Sequence, residues 1–234
     1  MFIGFNHCCC QHRYRYVSYK YSLFFLYVKH YIENILYNSI GKKLIVMLAL
    51  SIILLLVGLA SAQIPALGNC PDVEYMTNFD IEKYMGVWYE IEKYFAVFEF
   101  GGKCVQANYT LNNNKTIKVV NRQISYITGV ASSIEGIARS EGASNESKLL
   151  VTFPSVPFGG NAPYWVLETD YDNYTVVWSC KSFGILHAKI VWILAREPSP
   201  SLDVMQKAYQ VLNRNRINRA YFMRTDQKNC PANY

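Results

Sequence analysis

Beyond residue 62 the chain holds one histidine, His187, and four cysteines, Cys70, Cys104, Cys180 and Cys230. These side chains are the ones best suited to nucleophilic, proton-transfer or metal chemistry, and they are too few for it. A catalytic thiol needs an unpaired cysteine beside a base. An even cysteine count in an exported chain predicts two disulfides, in any of three pairings, with no thiol left over. One histidine with paired cysteines leaves only scattered carboxylates, short of the three or four residues that hold zinc. Glu90 and Glu92 come nearest to an acid pair, since strand alternation sets them on one face. No catalytic residue, metal ligand or cofactor is therefore expected, and the chain is read as a binding protein and not an enzyme.

The elements that position these residues begin after a targeting segment. Residues 44–59 form an apolar run preceded by Lys42 and Lys43 and ended by Ala60-Ser61-Ala62. A run of roughly 16 residues is short for a bilayer, which needs about 20. The small residues at its end match a signal-peptidase site. Residues 42–62 are thus read as a signal peptide cleaved after Ala62, and the protein as secreted and extracellular. Residues 1–41 are Tyr-rich and hold Cys8, Cys9 and Cys10. They are either a long leader or sequence ahead of a true start at Met47. Removing 1–62 takes six basic residues and one acid from the chain and leaves 17 basic against 16 acidic. That near-neutral balance excludes a nucleic-acid surface, which needs clustered Lys and Arg. Four glycosylation sequons, at Asn108, Asn114, Asn145 and Asn173, agree with export.

Residues 63–234 are expected to form one domain. Eight short β-rich runs follow one another, at 87–94, 104–111, 116–122, 133–139, 148–152, 164–169, 174–181 and 188–195. Turn residues such as Asn112-Asn113-Asn114 and Asp172-Asn173 separate them. The spacing predicts an antiparallel sandwich or up-and-down barrel. One helix follows, predicted with Ser199 as N-cap and Pro200 at its first position. Val204, Ala208, Val211 and Leu212 fall on one of its faces, which must cover the outside of the sheet. On the second strand run Val105, Ala107, Tyr109 and Leu111 share an apolar face, while Cys104, Gln106, Asn108 and Thr110 share the other. If Asn108 carries a glycan, Tyr109 points inward and Cys104 bonds to something on the outer wall.

Three sequence motifs add a resemblance. The stretch from Asp80 to Glu90 contains Gly86-Val-Trp88; Thr169-Asp170-Tyr171 sits at a turn between two late strands; Ala195-Arg196 ends the last. Their order and spacing resemble the lipocalin family. Trp88-Tyr-Glu-Ile-Glu-Lys93, Gln106-Ala-Asn-Tyr109, Ala162-Pro-Tyr-Trp165 and Asp226-Gln227 extend it to the apolipoprotein D and Lazarillo group, over nearly all of 69–232. The resemblance implies an all-β, eight-stranded antiparallel up-and-down barrel with one C-terminal α-helix packed outside. It implies structural roles for Gly86, Trp88, Thr169, Asp170, Tyr171 and Arg196, with Arg196 stacked on Trp88 at the closed end, and makes Glu90 and Glu92 structural. It implies the disulfides Cys70–Cys180 and Cys104–Cys230. It also implies a cavity lined by Tyr109, Val119, Asn121, Tyr164, Trp192 and Leu194, with Asn121 the polar group that orients a ligand. The expected function is an extracellular carrier of a sterol, fatty acid or similar lipid. A pigment-binding lipocalin and a cell-surface interaction protein of the Lazarillo kind are the alternatives.

Three connections are unusually apolar: Phe95-Ala-Val-Phe98 with Phe100, Phe153-Pro-Ser-Val-Pro-Phe158, and Phe183-Gly-Ile-Leu186. In a meander all three emerge at one end. The expectation is that this mouth contacts a lipoprotein or membrane surface; the competing expectation is that each loop caps its own core.

Overall fold

The structure, a computed structural model, describes residues 45–49, 51, 64–96, 99–142, 145–156 and 160–231. The predicted leader, the cleavage point after Ala62, Phe98 and Phe158 lie outside the described residues. Internal contacts divide the chain into Met1–Ala60 and Ser61–Tyr234. In the first unit residues 45–49 and 51 are helical, and among the described residues no helix is long and apolar enough to cross a membrane.

The second unit is built from strands. β1 (Ile64–Leu67) and a one-turn helix α1 (Ile81–Tyr84) precede β2 (Gly86–Tyr94), β3 (Gly102–Leu111), β4 (Ile117–Ser125) and β5 (Ala131–Ser140). Then come β6 (Lys148–Thr152), β7 (Asn161–Thr169), β8 (Tyr174–Phe183) and β9 (Leu186–Ala195). Helix α2 (Leu202–Arg214) and β10 (Phe222–Arg224) end the chain. Strands β2 to β9 pair antiparallel in sequence order, and β9 returns to pair β2, which closes an eight-stranded barrel. Each of the eight predicted runs lies within one of these strands or overlaps it. The two short additions extend the sheet, β1 along the upper part of β9 and β10 along the end of β2.

Two apolar clusters hold the barrel. Tyr84, Trp88, Tyr109, Ile117, Val119 and Val166 belong to one that fills its interior. The other lies between the outer wall and α2, where Met205, Ala208, Val211 and Leu212 bury one helical face on Ile91, Leu167, Val191 and Ile193. The predicted face is the buried one, with Met205 added and Val204 partly covered. The predicted cap is corrected. Ser201, not Ser199, caps α2, its Oγ accepting from the Val204 N–H at 3.4 Å. Pro200 therefore lies outside the helix, where its missing N–H removes no helical bond.

Alternation fails at three β-bulges, in β2 between Glu90 and Glu92, in β3 between Lys103 and Gln106, and in β7 between Val166 and Glu168. A bulge inserts one residue and turns the side chains beyond it to the other face. Glu90 and Glu92 accordingly do not share a face, which corrects the expectation. Glu90 lines the barrel cavity, while Glu92 Oε1 accepts from Tyr209 OH of the outer helix at 2.8 Å. In β3 the bulge holds Cys104 at φ +56°, and Gln106, expected outside, contributes with Ala107 to the cavity wall. Cys104 bonds to Cys230 and Cys70 to Cys180, tying the C-terminal tail to β3 and the segment after β1 to β8.

Candidate ligand cavity

The floor of the barrel is made where the three motifs meet. Asp80 caps α1 through the N–H groups of Glu82 and Lys83. The turn out of α1 requires Gly86, whose φ is +95° and where a Cβ would stand 3.3 Å from Arg196 Nη1. Trp88 is wholly buried, its Nε1 donating to Tyr84 O at 2.9 Å. The Arg196 guanidinium lies 3.8 Å from the centre of the Trp88 ring. Its nitrogens donate to Val87 O and Met85 O at 2.8 Å, to Lys83 O at 3.1 Å and to Tyr171 O at 2.9 Å. Tyr171 stands in the β7–β8 turn, which Thr169 and Asp170 hold by bonds to Tyr171 N, Asn173 N and Tyr174 N. Tyr171 OH accepts from Asp80 N at 2.9 Å, so the second motif binds the first.

Above this floor lies a cavity of about 160 Å³. Tyr109, Val119, Asn121, Tyr164, Trp192 and Leu194 all line it, together with Val151, Phe153 and Ile190. Tyr109 OH and Tyr84 OH each lie within 2.9 Å of Tyr164 OH, and Tyr84 OH reaches Thr175 Oγ1 at 3.4 Å. Burial pushes the Tyr84 phenol up to about 12, against hydrogen bonds from Thr175 and Tyr164 that lower it. It raises Tyr109 and Tyr164 as well. At neutral pH the three rings are therefore uncharged hydroxyls. Asn121 Oδ1 is buried and has no hydrogen-bond partner among the described residues.

Towards the mouth the wall carries a buried ionic group that the sequence did not reveal. Lys93 Nζ lies 2.9 Å from Glu90 Oε1 and 2.7 Å from Glu99 Oε2. Thr225 Oγ1 donates to Glu90, and Trp192 Nε1 to Glu99 at 3.3 Å. Burial, and then the charge of Glu99, hold the Glu90 carboxyl well above the usual carboxylate range, although Lys93 and Thr225 pull it down. Burial alone would lower Lys93; the two carboxyls overcome it and leave the ammonium raised. Lys93 is thus charged throughout the physiological range. The motif Glu90-Ile-Glu-Lys93 was visible, but alternation placed its second acid on the wrong face.

The four sequon asparagines share one half of the molecule. Asn114, Asn145 and Asn173 are exposed in the β3–β4, β5–β6 and β7–β8 connections. Asn108 is half-buried on β3 beside Val87 of β2. All three connections are at the closed end, the end at which β2 begins. At the open end Phe100, Ile127 and Ile185 are 73 %, 86 % and 78 % exposed. Ile127 belongs to the β4–β5 connection, which the sequence reading had not singled out. Phe153 instead turns inward onto the cavity, and Phe95 rests against Phe100 at 5.9 Å between ring centres.

A closed antiparallel barrel with a plugged floor and a largely apolar cavity above it defines a binding barrel for a small molecule. Residues 85–229 match the model of the lipocalin / cytosolic fatty-acid binding protein family. The chain is 42% identical to apolipoprotein D of Mus musculus over 166 residues, 70% of this chain and 86% of that protein. It is 37% identical to the bilin-binding protein of Pieris brassicae over 152 residues, 62% of this chain and 76% of that one. The solved structure of insecticyanin from the tobacco hornworm Manduca sexta superposes with a TM-score of 0.63 at 29% identity, covering 70% of this chain and 89% of that one. The chain belongs to the lipocalin family.

Proposed function

We propose that the protein is a secreted carrier that holds a small hydrophobic ligand, a sterol, fatty acid or similar lipid, in the barrel cavity and does not alter it. One observation carries this: the cavity is lined mainly by apolar and aromatic side chains, with Asn121 Oδ1 buried on its wall without a partner among the described residues. Such cavities bind by apolar burial and orient with a few polar groups. Each 100 Å² of apolar surface covered contributes about 2.5 kcal/mol before the cost of association. Similarity to apolipoprotein D supports the lipid reading. Cleavage after Ala62 and glycans on the four sequons go with it, and put the carrier outside the cell.

Trp192 sits in the wall and reports occupancy. Ligand binding is expected to quench its emission. Trp192→Phe should remove most of the ligand-dependent change in fluorescence while the circular dichroism spectrum stays that of the wild type. A change that survives undiminished assigns Trp192 to the core. Similarity to the bilin-binding protein favours a second reading, a pigment carrier. A visible absorption band in protein purified from its own source separates the two.

The mouth is proposed to rest on a lipid surface, a membrane or lipoprotein particle, so that ligand transfers without crossing water. Phe100, Ile127 and Ile185 project from it, and glycans on the sequons would stand at the far end. With residues 63–234 near neutral the attachment draws little on charge, so binding to neutral liposomes should persist at high salt. Replacing Phe100, Ile127 and Ile185 with Ser is expected to abolish flotation with liposomes and leave affinity for free ligand unchanged. Wild-type protein that never floats with neutral liposomes or lipoproteins rules the docking out.

A further inference from the structure

Charge over residues 63–234 sums to nearly zero, but it is not evenly spread at the mouth. The open-end connections of the barrel, residues 95–101, 126–130, 153–160 and 184–185, hold one charged residue, Glu99. Its carboxyl lies 2.7 Å from the Lys93 ammonium, so the two largely cancel. Cations stand where the strands and the tail reach this rim, each beside an exposed aromatic ring. Lys103 Nζ is 5.9 Å from the centre of the Tyr126 ring, and Lys181 Nζ 5.8 Å from that of Phe183. Arg224 of β10 borders one surface cleft with Phe100. Tyr126, Phe183 and Phe100 are all exposed, as are Lys181 and Arg224, while Lys103 is half-buried. Among the described residues none of the three cations forms an ion pair. Two acids come close to Arg224 along the sheet and the chain. Glu92, opposite it in register, accepts from Tyr209 of the outer helix, and Asp226 accepts from the Lys228 N–H.

We infer that the surface on which this mouth rests is an anionic lipid bilayer, whose headgroups meet Lys103, Lys181 and Arg224 while Phe100, Ile127 and Ile185 enter the acyl boundary. This rests on the docking proposed above and names its partner. Long basic side chains lay their stems along apolar surface and keep the charged head at the level of the headgroups. A rim that combines exposed apolar side chains with lysine and arginine is the composition that binds such an interface. An anionic leaflet attracts each basic residue held close to it, and the attraction fades within a Debye length. It therefore acts on the rim that faces the bilayer and hardly at all on charges at the closed end. A neutral bilayer offers the cations nothing, so attachment there rests on the apolar residues alone and is indifferent to salt.

The test is flotation of the intact mature protein with vesicles of phosphatidylcholine alone and of phosphatidylcholine with about 30 % phosphatidylserine, at low salt and at roughly 0.5 M salt. At low salt the partition coefficient is expected to be at least about tenfold higher on the anionic vesicles, and high salt should erase that gain. The triple variant Lys103→Gln, Lys181→Gln, Arg224→Gln should lose the gain and keep its binding to phosphatidylcholine. Lys83→Gln with Lys115→Gln, at the closed end, should keep both. Soluble glycerophosphoserine should not compete; if it does, the rim takes a free headgroup and not a surface. Equal partition on the two vesicles, or a gain that survives the triple variant, overturns the anionic preference and leaves the docking standing. Protein that floats with neither vesicle removes the docking as well. The wild-type comparison of lipids and salts decides the preference even if a variant fails to fold.

Discussion

Trp88→Ala should lower the unfolding free energy by about 3–5 kcal/mol, the usual loss for truncating a fully buried large aromatic. In a domain of this size that corresponds to a fall of roughly 10 °C in melting temperature. Trp88 has no contact with solvent and fills the floor between α1 and the strands. The Arg196 guanidinium covers one face of its ring and binds the carbonyls of Lys83, Met85, Val87 and Tyr171. Arg196→Met keeps the stem and removes those bonds, leaving several carbonyls to find other donors. A loss of about 2–4 kcal/mol is expected from that vacancy. The two losses should not add, because the partners touch: a double-mutant cycle should return a coupling of about 0.5–2 kcal/mol, the range of a cation–π pair. Thermal unfolding of the two single variants and the double variant measures all three quantities. Additive losses would show that the guanidinium serves only the carbonyls and not the ring.

The second large effect is the loss of the disulfides. Cys70–Cys180 and Cys104–Cys230 close loops of 110 and 126 residues. Constraints of that span in the unfolded chain contribute about 2–5 kcal/mol each. A domain whose whole stability is roughly 5–15 kcal/mol cannot lose both and stay securely folded. The variant with all four cysteines changed to Ser is expected to be largely unfolded at ambient temperature, and each single-bridge variant to melt well below the wild type. Peptide mapping without reduction should join the Cys70 peptide to that of Cys180 and the Cys104 peptide to that of Cys230. A Cys70–Cys104 peptide would falsify the pairing.

Much of this molecule is legible in the order of its residues because its strands are short, separated and regularly patterned. Trp192, Leu194 and Arg196 share a parity, and the two cavity residues and the floor residue fall where that parity sends them. What the pattern hides is a change of phase. One extra residue at Ile91 sends Glu90 inward and Glu92 to the helix, and nothing in Glu90-Ile-Glu-Lys93 marks the bulge. The ionic group near the mouth was invisible for that reason and for another, since Glu99 reaches Lys93 only through a loop. Strands β1 and β10 went unread because they are short and exist through pairing with β9 and β2 and not through any pattern of their own. Ser199 and Ser201 are equally good caps by residue type, and only the backbone chooses between them.

The seam at which β9 meets β2 also governs how the barrel is made. Tyr89 pairs with Ala195 and Lys93 with Trp192, partners roughly a hundred residues apart along the chain. Every other pairing within the barrel joins neighbours in sequence and can form as the chain appears. Closure waits for the last strand. Folding dominated by so distant a contact takes milliseconds to seconds, against microseconds for local helical contacts. Synthesis at about 5–20 residues per second extends the interval further. Throughout it the half-built sheet presents two raw edges, one at β2 and one at its growing side. Such edges pair readily with strands of other chains. The interval before closure is therefore the stage at which the protein is most exposed to aggregation, and substitutions along the seam should reduce the yield of folded protein before they reduce the stability of molecules that have closed.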